Sequence, residues 1–341
     1  MNQSQPTMFE FTGLTNDTTL AILLFVFFLL VYMITVVANV GLFIAVHKTS
    51  ALHTPMYFFL SYLSVVDLFY SSVIVPKMIS DLVSRRKVIS FYGCALQFYF
   101  FAALASTDVH LLSNMSYDRY AAICHPLHYV SMMTKTKCFC MVLVAFSLGF
   151  LQSSAQTSCM FSLQYCSSNV IDHFYCDIPP LLKLSCSNIV ICDMVIMFLI
   201  GFYVIGSLTA IMISYLFIII SILKIKSSKG RQKAFSTCSS HIICSSIFFV
   251  SVLLTYLHPP SKAIKNQSKV ASIFYTVMTP MFNPLVYSLR NQEVYGITGL
   301  TTDELKPFMH YVETGGQFFL LKLRVPAKVY NGEGGSGWVR S

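Results

Sequence analysis

The chain has little charge for its length. Charged residues make up 11% of its 341 residues, whereas soluble proteins carry roughly 25%. Hydrophobic residues reach 55%, and the mean hydropathy is +0.65. The shortage of charge excludes a soluble enzyme as the leading class and predicts a membrane protein.

Long, predominantly apolar stretches appear seven times, and each is long enough to cross a ~30 Å hydrocarbon core at ~1.5 Å per residue. The first is too long for the apolar part of a signal peptide and has no basic segment before it, so we expect a retained helix. We predict an all-α, seven-transmembrane helix bundle over residues 21–291, after an N-terminal segment 1–20 and before a tail 292–341 of no assigned function. The predicted spans are about 21–46, 56–80, 94–123, 138–158, 194–223, 234–257 and 270–289.

The excess of positive charge indicates how the bundle is oriented. The net charge is +9, from 23 Lys and Arg against 14 Asp and Glu. In a membrane chain this favours the positive-inside rule over nucleic-acid binding. With the N-terminus outside, the densest basic cluster, 224–233, lies inside, and the sequons at Asn2 and Asn16 lie where glycosylation occurs. We expect an extracellular N-terminus, a cytoplasmic C-terminus and no nucleic-acid partner.

Carboxylates are rare inside the predicted spans, and two of them stand out. Asp67 and Asp108 fall in the middle of the second and third spans. Two buried carboxylates cannot both stay charged and unpaired, so they share a Na⁺ or a proton, or they join a hydrogen-bonded polar cluster with Asn39 and Asn283. Both readings are compatible.

Two patterns indicate moving parts. Asp118, Arg119 and Tyr120 end the third span, where a carboxylate can hold the guanidinium until a partner takes it. In the seventh span, the prolines of the segment 280–284 remove backbone donors and predict a kink, with Tyr287 one turn further inward.

Cysteines are concentrated on one side of the predicted bundle. Cys166, Cys176 and Cys186 lie in the polar stretch 159–192, and Cys94 opens the third span on the same side. Four cysteines allow three pairings, and the residues alone do not choose among them. Any pairing would place a lid over the mouth of the bundle.

Three absences exclude ligand classes. No lysine lies between Val270 and Leu289, which excludes a retinal Schiff base. Phe101 and Ala102 stand in the outer third of the third span, where a cationic amine ligand needs a carboxylate. The His, Cys and Asp of segment 173–177 would suit a soft metal, but a disulfide there removes the thiolate, so no metal site is predicted.

Four segments together resemble the odorant receptors, the olfactory branch of the rhodopsin-like G-protein-coupled receptors. The likeness covers roughly residues 9–293 and is closest to the tetrapod-type class, associated with volatile, mostly apolar odorants. The segments are PMYFFLSYLSVVDL (55–68), MSYDRYAAICHPLHY (115–129), KAFSTCSSHI (233–242) and PMFNPLVYSLRN (280–291).

The resemblance implies a receptor and not an enzyme. A small odorant would bind inside the bundle, activate an olfactory-type stimulatory G protein and raise cAMP. The protein would lie in the plasma membrane of olfactory sensory neuron cilia, in contact with lipid and trafficking chaperones. A transporter or proton pump is the competing class, suggested by Asp67, Asp108 and His110, but inverted repeats and additional spans are not visible.

The resemblance also assigns residues. It implies the disulfides Cys94–Cys176 and Cys166–Cys186, and a cation or proton site at Asp67 and Asp108. The G-protein switch would comprise Asp118, Arg119, Tyr120, Tyr215 and Tyr287. The odorant pocket would be lined by Phe101, Ala102, Ala105, Ser106, Leu199, Tyr203, Val252, Tyr256, Ile273 and Thr276.

Two positions depart from the family pattern. The family usually has glutamate where Asp108 stands, so the reach of this carboxylate is shorter. The sixth span reads Phe-Phe-Val at 248–250, where the family commonly reads Phe-Tyr-Gly, so a hydroxyl associated with activation is missing.

Overall fold

A computed structural model describes residues 6–166, 168–256 and 265–288. It is a bundle of long helices, and the connections between them contain the one-turn helices Ser50–Leu52, Tyr129–Met132 and Ile178–Leu182. The long helices are α1 (Thr18–Lys48), α2 (Pro55–Val83), α3 (Phe91–Cys124), α4 (Lys135–Phe161), α5 (Val190–Leu223), α6 (Ser228–Tyr256) and α7, which runs as Lys265–Ile273, a π-helical turn Phe274–Met278 and Thr279–Ser288.

Each long helix begins one to six residues before its apolar run, and side-chain caps set the start of α1, α3 and α4. The carboxylate of Asp17 accepts a hydrogen bond from the backbone N–H of Leu20 at 2.8 Å, which caps α1. Ser90 caps α3 in the same way. Helices α1 to α6 each contain a stretch long and apolar enough to cross a membrane.

The bundle is centred on α3, which packs against α2, α4, α5 and α6. Its approach to α4 depends on Gly149, because a Cβ atom there would collide with the Thr107 hydroxyl and lie 2.7 Å from the carbonyl oxygen of Ala103. By contrast α5 is the least buried of these helices and presents large apolar side chains such as Phe198 and Phe202 outward. This exposure suits a surface that meets lipid.

A small sheet covers one end of the bundle. Strand β1 (Met8–Phe11) pairs antiparallel with β2 (Val88–Ser90) and parallel with β3 (Val170–Ile171), in the order β2-β1-β3. The sequence analysis predicted only helices. The strands escaped it because four residues of alternating burial, with Phe9 and Phe11 inward, are too short a pattern to stand out.

Candidate functional site

Residues 168–189, which include strand β3, form a segment that we call the lid. A disulfide joins Cys176 in the lid to Cys94 at the start of α3, with Cα atoms 5.7 Å apart. The backbone N–H of Cys176 also donates to Oε1 of Gln97 at 3.0 Å, and Gln97 donates in turn to the carbonyl of Val73 at 3.2 Å. The lid is therefore held against both α3 and α2.

Two further disulfides bind the same region. Cys166 is joined to Cys186 within the loop, with Cα atoms 5.8 Å apart. Cys159, at the end of α4, is joined to Cys192, at the start of α5, with Cα atoms 5.6 Å apart. The sequence analysis did not pair these last two, although their positions at the two ends of the polar stretch 159–192 were a usable signal.

A cavity of about 70 Å³ lies below the lid, between α3, α4, α5 and α6. Its walls are mostly apolar, as expected of a small-molecule site. The predicted residues that line it are Phe101, Ala102, Ala105, Ser106, Tyr203, Val252 and Tyr256. The lining residues that the sequence analysis missed are Phe98, Val109, Gln152, Gln156, Ile178, Ile200, Val204, Phe248 and Tyr275.

Three predicted pocket residues do not line this cavity. Leu199 lies beside the inward-facing Ile200 on α5, one residue out of phase. On α7, Tyr275 faces the cavity, while Ile273 and Thr276 do not. The π-helical turn shifts the phase of this helix, and the Thr276 hydroxyl instead donates to the carbonyl of Ser272 at 2.6 Å.

Two glutamines supply polar atoms to the cavity. The Ser106 hydroxyl donates to Oε1 of Gln152 at 2.7 Å, so this pair satisfies itself across α3 and α4. Gln156, one turn further along α4, is 2% exposed, and its Nε2 atom has no hydrogen-bond partner within the described residues. The Gln156 amide is thus available to a hydrogen-bond acceptor on a ligand. Polar residues one turn apart in an apolar span were a signal for both.

The roof of the cavity is tied together by the buried carboxylate of Asp177. It accepts hydrogen bonds from the hydroxyls of Tyr175 and Tyr256, both at 2.9 Å, and from the N–H of Ile178 at 2.8 Å. Burial raises the pKa of Asp177, and these hydrogen bonds offset part of the rise. The sequence analysis considered Asp177 only as a metal ligand, and it did not predict that this carboxylate joins the lid to α6.

This tie reaches two helices beyond the lid. Tyr256 belongs to α6, and the Tyr175 hydroxyl also contacts the hydroxyl of Tyr275 on α7. A change in the position of α6 must therefore break or rearrange the hydrogen bonds of Asp177.

The predicted interior polar residues are all buried, and the structure brings some of them together. Both oxygens of Asp67 lie within hydrogen-bond distance of Nδ2 of Asn283, at 3.0 and 3.2 Å. Nδ2 of Asn39 donates to the carbonyl of Pro280 at 2.9 Å. Oδ1 of Asp108 has no hydrogen-bond partner among the described side chains and backbone. These contacts join α1 and α2 to the proline-containing part of α7.

At the other end of the bundle, Asp118 and Arg119 form an ion pair, with Oδ2 and Nη2 3.1 Å apart. The Tyr129 hydroxyl donates to the second oxygen of Asp118 at 2.7 Å. Tyr120 is directed elsewhere, with its hydroxyl 3.0 Å from Nε2 of His125. Tyr129 follows the D-R-Y tripeptide within the motif 115–129, but the sequence analysis gave it no role.

A second contact at this end links three helices. The Tyr215 hydroxyl on α5 lies 2.7 Å from Nδ1 of His241 on α6. Nε2 of the same histidine lies 2.9 Å from the carbonyl of Leu112 on α3. The Tyr287 hydroxyl is buried and has no hydrogen-bond partner in the described part of the chain. His241, in the motif 233–242, was missed.

The glycosylation predictions meet the structure only in part. Asn16 is exposed, just before α1. Asn2, the end of the seventh predicted span at Leu289 and the tail 292–341 lie outside the described residues.

Within the described ranges, no group of three or more His, Cys, Asp or Glu side chains is arranged to hold a metal ion.

A bundle of membrane-spanning helices with a roofed apolar cavity at one end, and an Asp-Arg ion pair on α3 at the other, is the architecture of a seven-transmembrane receptor. The family model for the olfactory receptors matches residues 28–301. The chain belongs to this family, whose members are G-protein-coupled receptors and not enzymes.

Individual olfactory receptors are similar in sequence to most of this chain. Olfactory receptor 5B21 of Mus musculus is 49% identical over 293 residues, covering 86% of this chain and 92% of the relative. Olfactory receptor 5B12 of Homo sapiens is 47% identical over 311 residues, covering 91% of this chain and 99% of the relative. The chain is thus an odorant receptor of the membrane.

Proposed function

We propose that a small, volatile, mostly apolar odorant binds in the 70 Å³ cavity and activates an olfactory-type stimulatory G protein, which raises cAMP. The observation that carries the proposal is the double role of α6. At one end Tyr256 bonds to the lid through Asp177, and near the middle of the helix His241 contacts α5 and α3. A ligand that displaces α6 from within the cavity would loosen the contacts of His241.

The orientation forms part of the proposal. Disulfides persist in oxidising compartments, so the end of the bundle that carries the lid and the three disulfides is assigned to the outside, together with the exposed sequon at Asn16. The Asp118–Arg119 pair then faces the cytoplasm, next to the basic cluster 224–233. The receptor would act at the plasma membrane, in the cilia of olfactory sensory neurons, after export assisted by trafficking chaperones.

The ligand class follows from the cavity wall. Apolar side chains surround a ligand, and the Gln156 amide offers one hydrogen bond to an acceptor such as a carbonyl oxygen. Asp177 lies close by, but its oxygens already accept from three donors, so no free carboxylate favours an ammonium group.

For the interior polar residues we propose that Asp67 and Asp108 share a Na⁺ or a proton. The support is the burial of both carboxyl groups together with the unpartnered Oδ1 of Asp108 among the described residues. Replacing extracellular Na⁺ by N-methylglucamine during an odorant dose-response distinguishes the two. A shift of the curve indicates Na⁺, and an unchanged curve indicates a proton.

A cAMP reporter assay tests the proposed function. Cells that express the receptor, an olfactory-type stimulatory G protein and a trafficking chaperone are exposed to a panel of volatile alcohols, aldehydes and ketones. We expect at least one responding compound, and we expect Arg119→Ala to abolish the response at unchanged surface expression, because Arg119 is freed from Asp118 to meet the G protein.

Arg86→Ala is the matched control, since Arg86 is an exposed arginine at the opposite end of the bundle. It should respond like the wild type. A surface-expressed Arg119→Ala receptor that signals normally would remove the ion pair from the mechanism.

A further inference from the structure

A second, larger hollow opens on the outer face of the bundle. It is a groove of about 640 Å³ between α3, α4 and α5, lined among others by His110, Leu148 and Phe202. The groove exists because α5 carries glycine there. A Cβ atom at Gly206 would have no neighbour within 4 Å, and one at Gly201 would only just touch Ile205, at 4.0 Å.

One side chain belongs to both hollows. Tyr203 on α5 lines the outer groove and also the interior cavity, so its side chain is a wall that the two share. That ring is half-buried, and its centroid lies 5.2 Å from the centroid of the His110 imidazole. A rotation of this side chain would connect the groove with the cavity.

In contrast to the groove, the lid offers a ligand no open route to the cavity. Tyr175, Cys176 and Ile178 above the cavity are each at most 3% exposed. They are fixed by the disulfide to Cys94 and by the hydrogen bonds of Asp177. Entry from above must break this covalently anchored roof, whereas entry from the side moves one tyrosine.

We propose that the groove is the entrance by which an odorant dissolved in the bilayer reaches the cavity, with Tyr203 as the gate. The inference rests on the proposed function, because it assumes that the cavity is the odorant site. Apolar molecules concentrate in the hydrocarbon region, which is where the groove opens.

The groove also has a preference for hydroxyl groups. Nδ1 of His110 lies 2.8 Å from the carbonyl oxygen of Ser106, and since a carbonyl only accepts, this nitrogen carries the proton. On the neutral ring Nε2 is then a hydrogen-bond acceptor. An alcohol entering from the bilayer can donate to it, which makes aliphatic alcohols the ligand class that uses this entrance best.

Photolabelling of the full-length receptor tests the route without any signalling step. The receptor is reconstituted in phosphatidylcholine vesicles, mixed with a diazirine analogue of 1-butanol, which is small enough for the cavity of about 70 Å³, and flash-illuminated after increasing delays. Mass spectrometry then follows labels at Leu148 in the groove and at Phe101 and Val252 in the cavity.

The test variant is Gly206→Leu, which adds a side chain to the groove at a position where a Cβ atom has no neighbour within 4 Å, and Gly201→Leu is a second variant of the same kind. The matched control is Gly41→Leu on α1, where an added Cβ also has no neighbour within 4 Å. We expect both groove variants to lose the label at Leu148 and to slow cavity labelling several-fold, with the final cavity yield unchanged. Gly41→Leu should match the wild type.

The outcomes separate the two proposals. Cavity labelling at the wild-type rate in both groove variants would overturn the lateral entrance and leave the odorant site in place. A wild-type receptor that labels nowhere in the cavity, even after long delays, would overturn the odorant site and the entrance with it.

Discussion

Replacing Ala105 by leucine is expected to shorten the longest odorant that the receptor accepts. Ala105 lies on α3 in the wall of the cavity, whose volume is about 70 Å³. Since ~10–15 Å³ accommodates one water-sized atom, the cavity has room for roughly five to seven such atoms. Leucine adds about three carbon atoms here and takes up about half of that room.

The size of the effect follows from the contacts that a ligand loses. A long ligand that gives up space for about three methylene groups loses roughly 2.4 kcal/mol at ~0.8 kcal/mol each. Its EC50 should rise by about 60-fold. Ligands short enough for the remaining space should be affected much less.

Dose-response curves for a homologous series of aldehydes provide the measurement. Ala210→Leu is the control, since Ala210 lies on α5 and is exposed on the outside of the bundle. Equal EC50 values for Ala105→Leu and the wild type at every chain length would show that Ala105 does not line the odorant site.

Three further predictions follow from contacts at other places. Gln156→Leu should weaken the binding of ketones by roughly 0.5–1.5 kcal/mol and leave the binding of hydrocarbons of the same shape unchanged. Equal EC50 shifts for both ligand types would contradict a hydrogen bond from Gln156. Tyr129→Phe removes the donor to Asp118 and should raise ligand-independent cAMP per surface receptor, whereas unchanged basal cAMP would exclude a restraining role. Burial, aided by the charge of Lys269, lowers the pKa of His173 from 6.5 to about 3, so the unfolded chain binds more protons between these values and the lid should lose stability as pH falls from 6.5 toward 3. Hydrogen exchange of the lid at pH 7 and pH 5 checks this, and His173→Phe should remove the difference.

The helices could be predicted because the hydrocarbon core demands long, predominantly apolar runs, and seven are visible in the sequence. Their ends could not be, because single caps such as Asp17 and Ser90 set them. The sheet could not be predicted either, because strand Met8–Phe11 is stabilised by pairing with strands far along the chain and not by the hydrophobic pattern of its own four residues.

The candidate site divides in the same way. The wall contributed by α3 could be predicted, and the structure places Phe101 and Ala105 on it. On α7 the π-helical turn shifts the phase, so Tyr275 lines the cavity where Thr276 was expected. Asp177 could not be anticipated from the polar composition of its loop, because its burial results from the lid folding over the bundle.

The most direct test of the account is nucleotide exchange by the purified receptor. The full-length protein is reconstituted in vesicles with an olfactory-type stimulatory heterotrimer, and binding of GTPγS is followed with and without the odorant that is most potent in cells. The account predicts that the odorant accelerates GTPγS binding and that Arg119→Ala, which lacks the guanidinium paired with Asp118, shows no acceleration. An odorant-independent rate in the wild type, or full acceleration in Arg119→Ala, would contradict it.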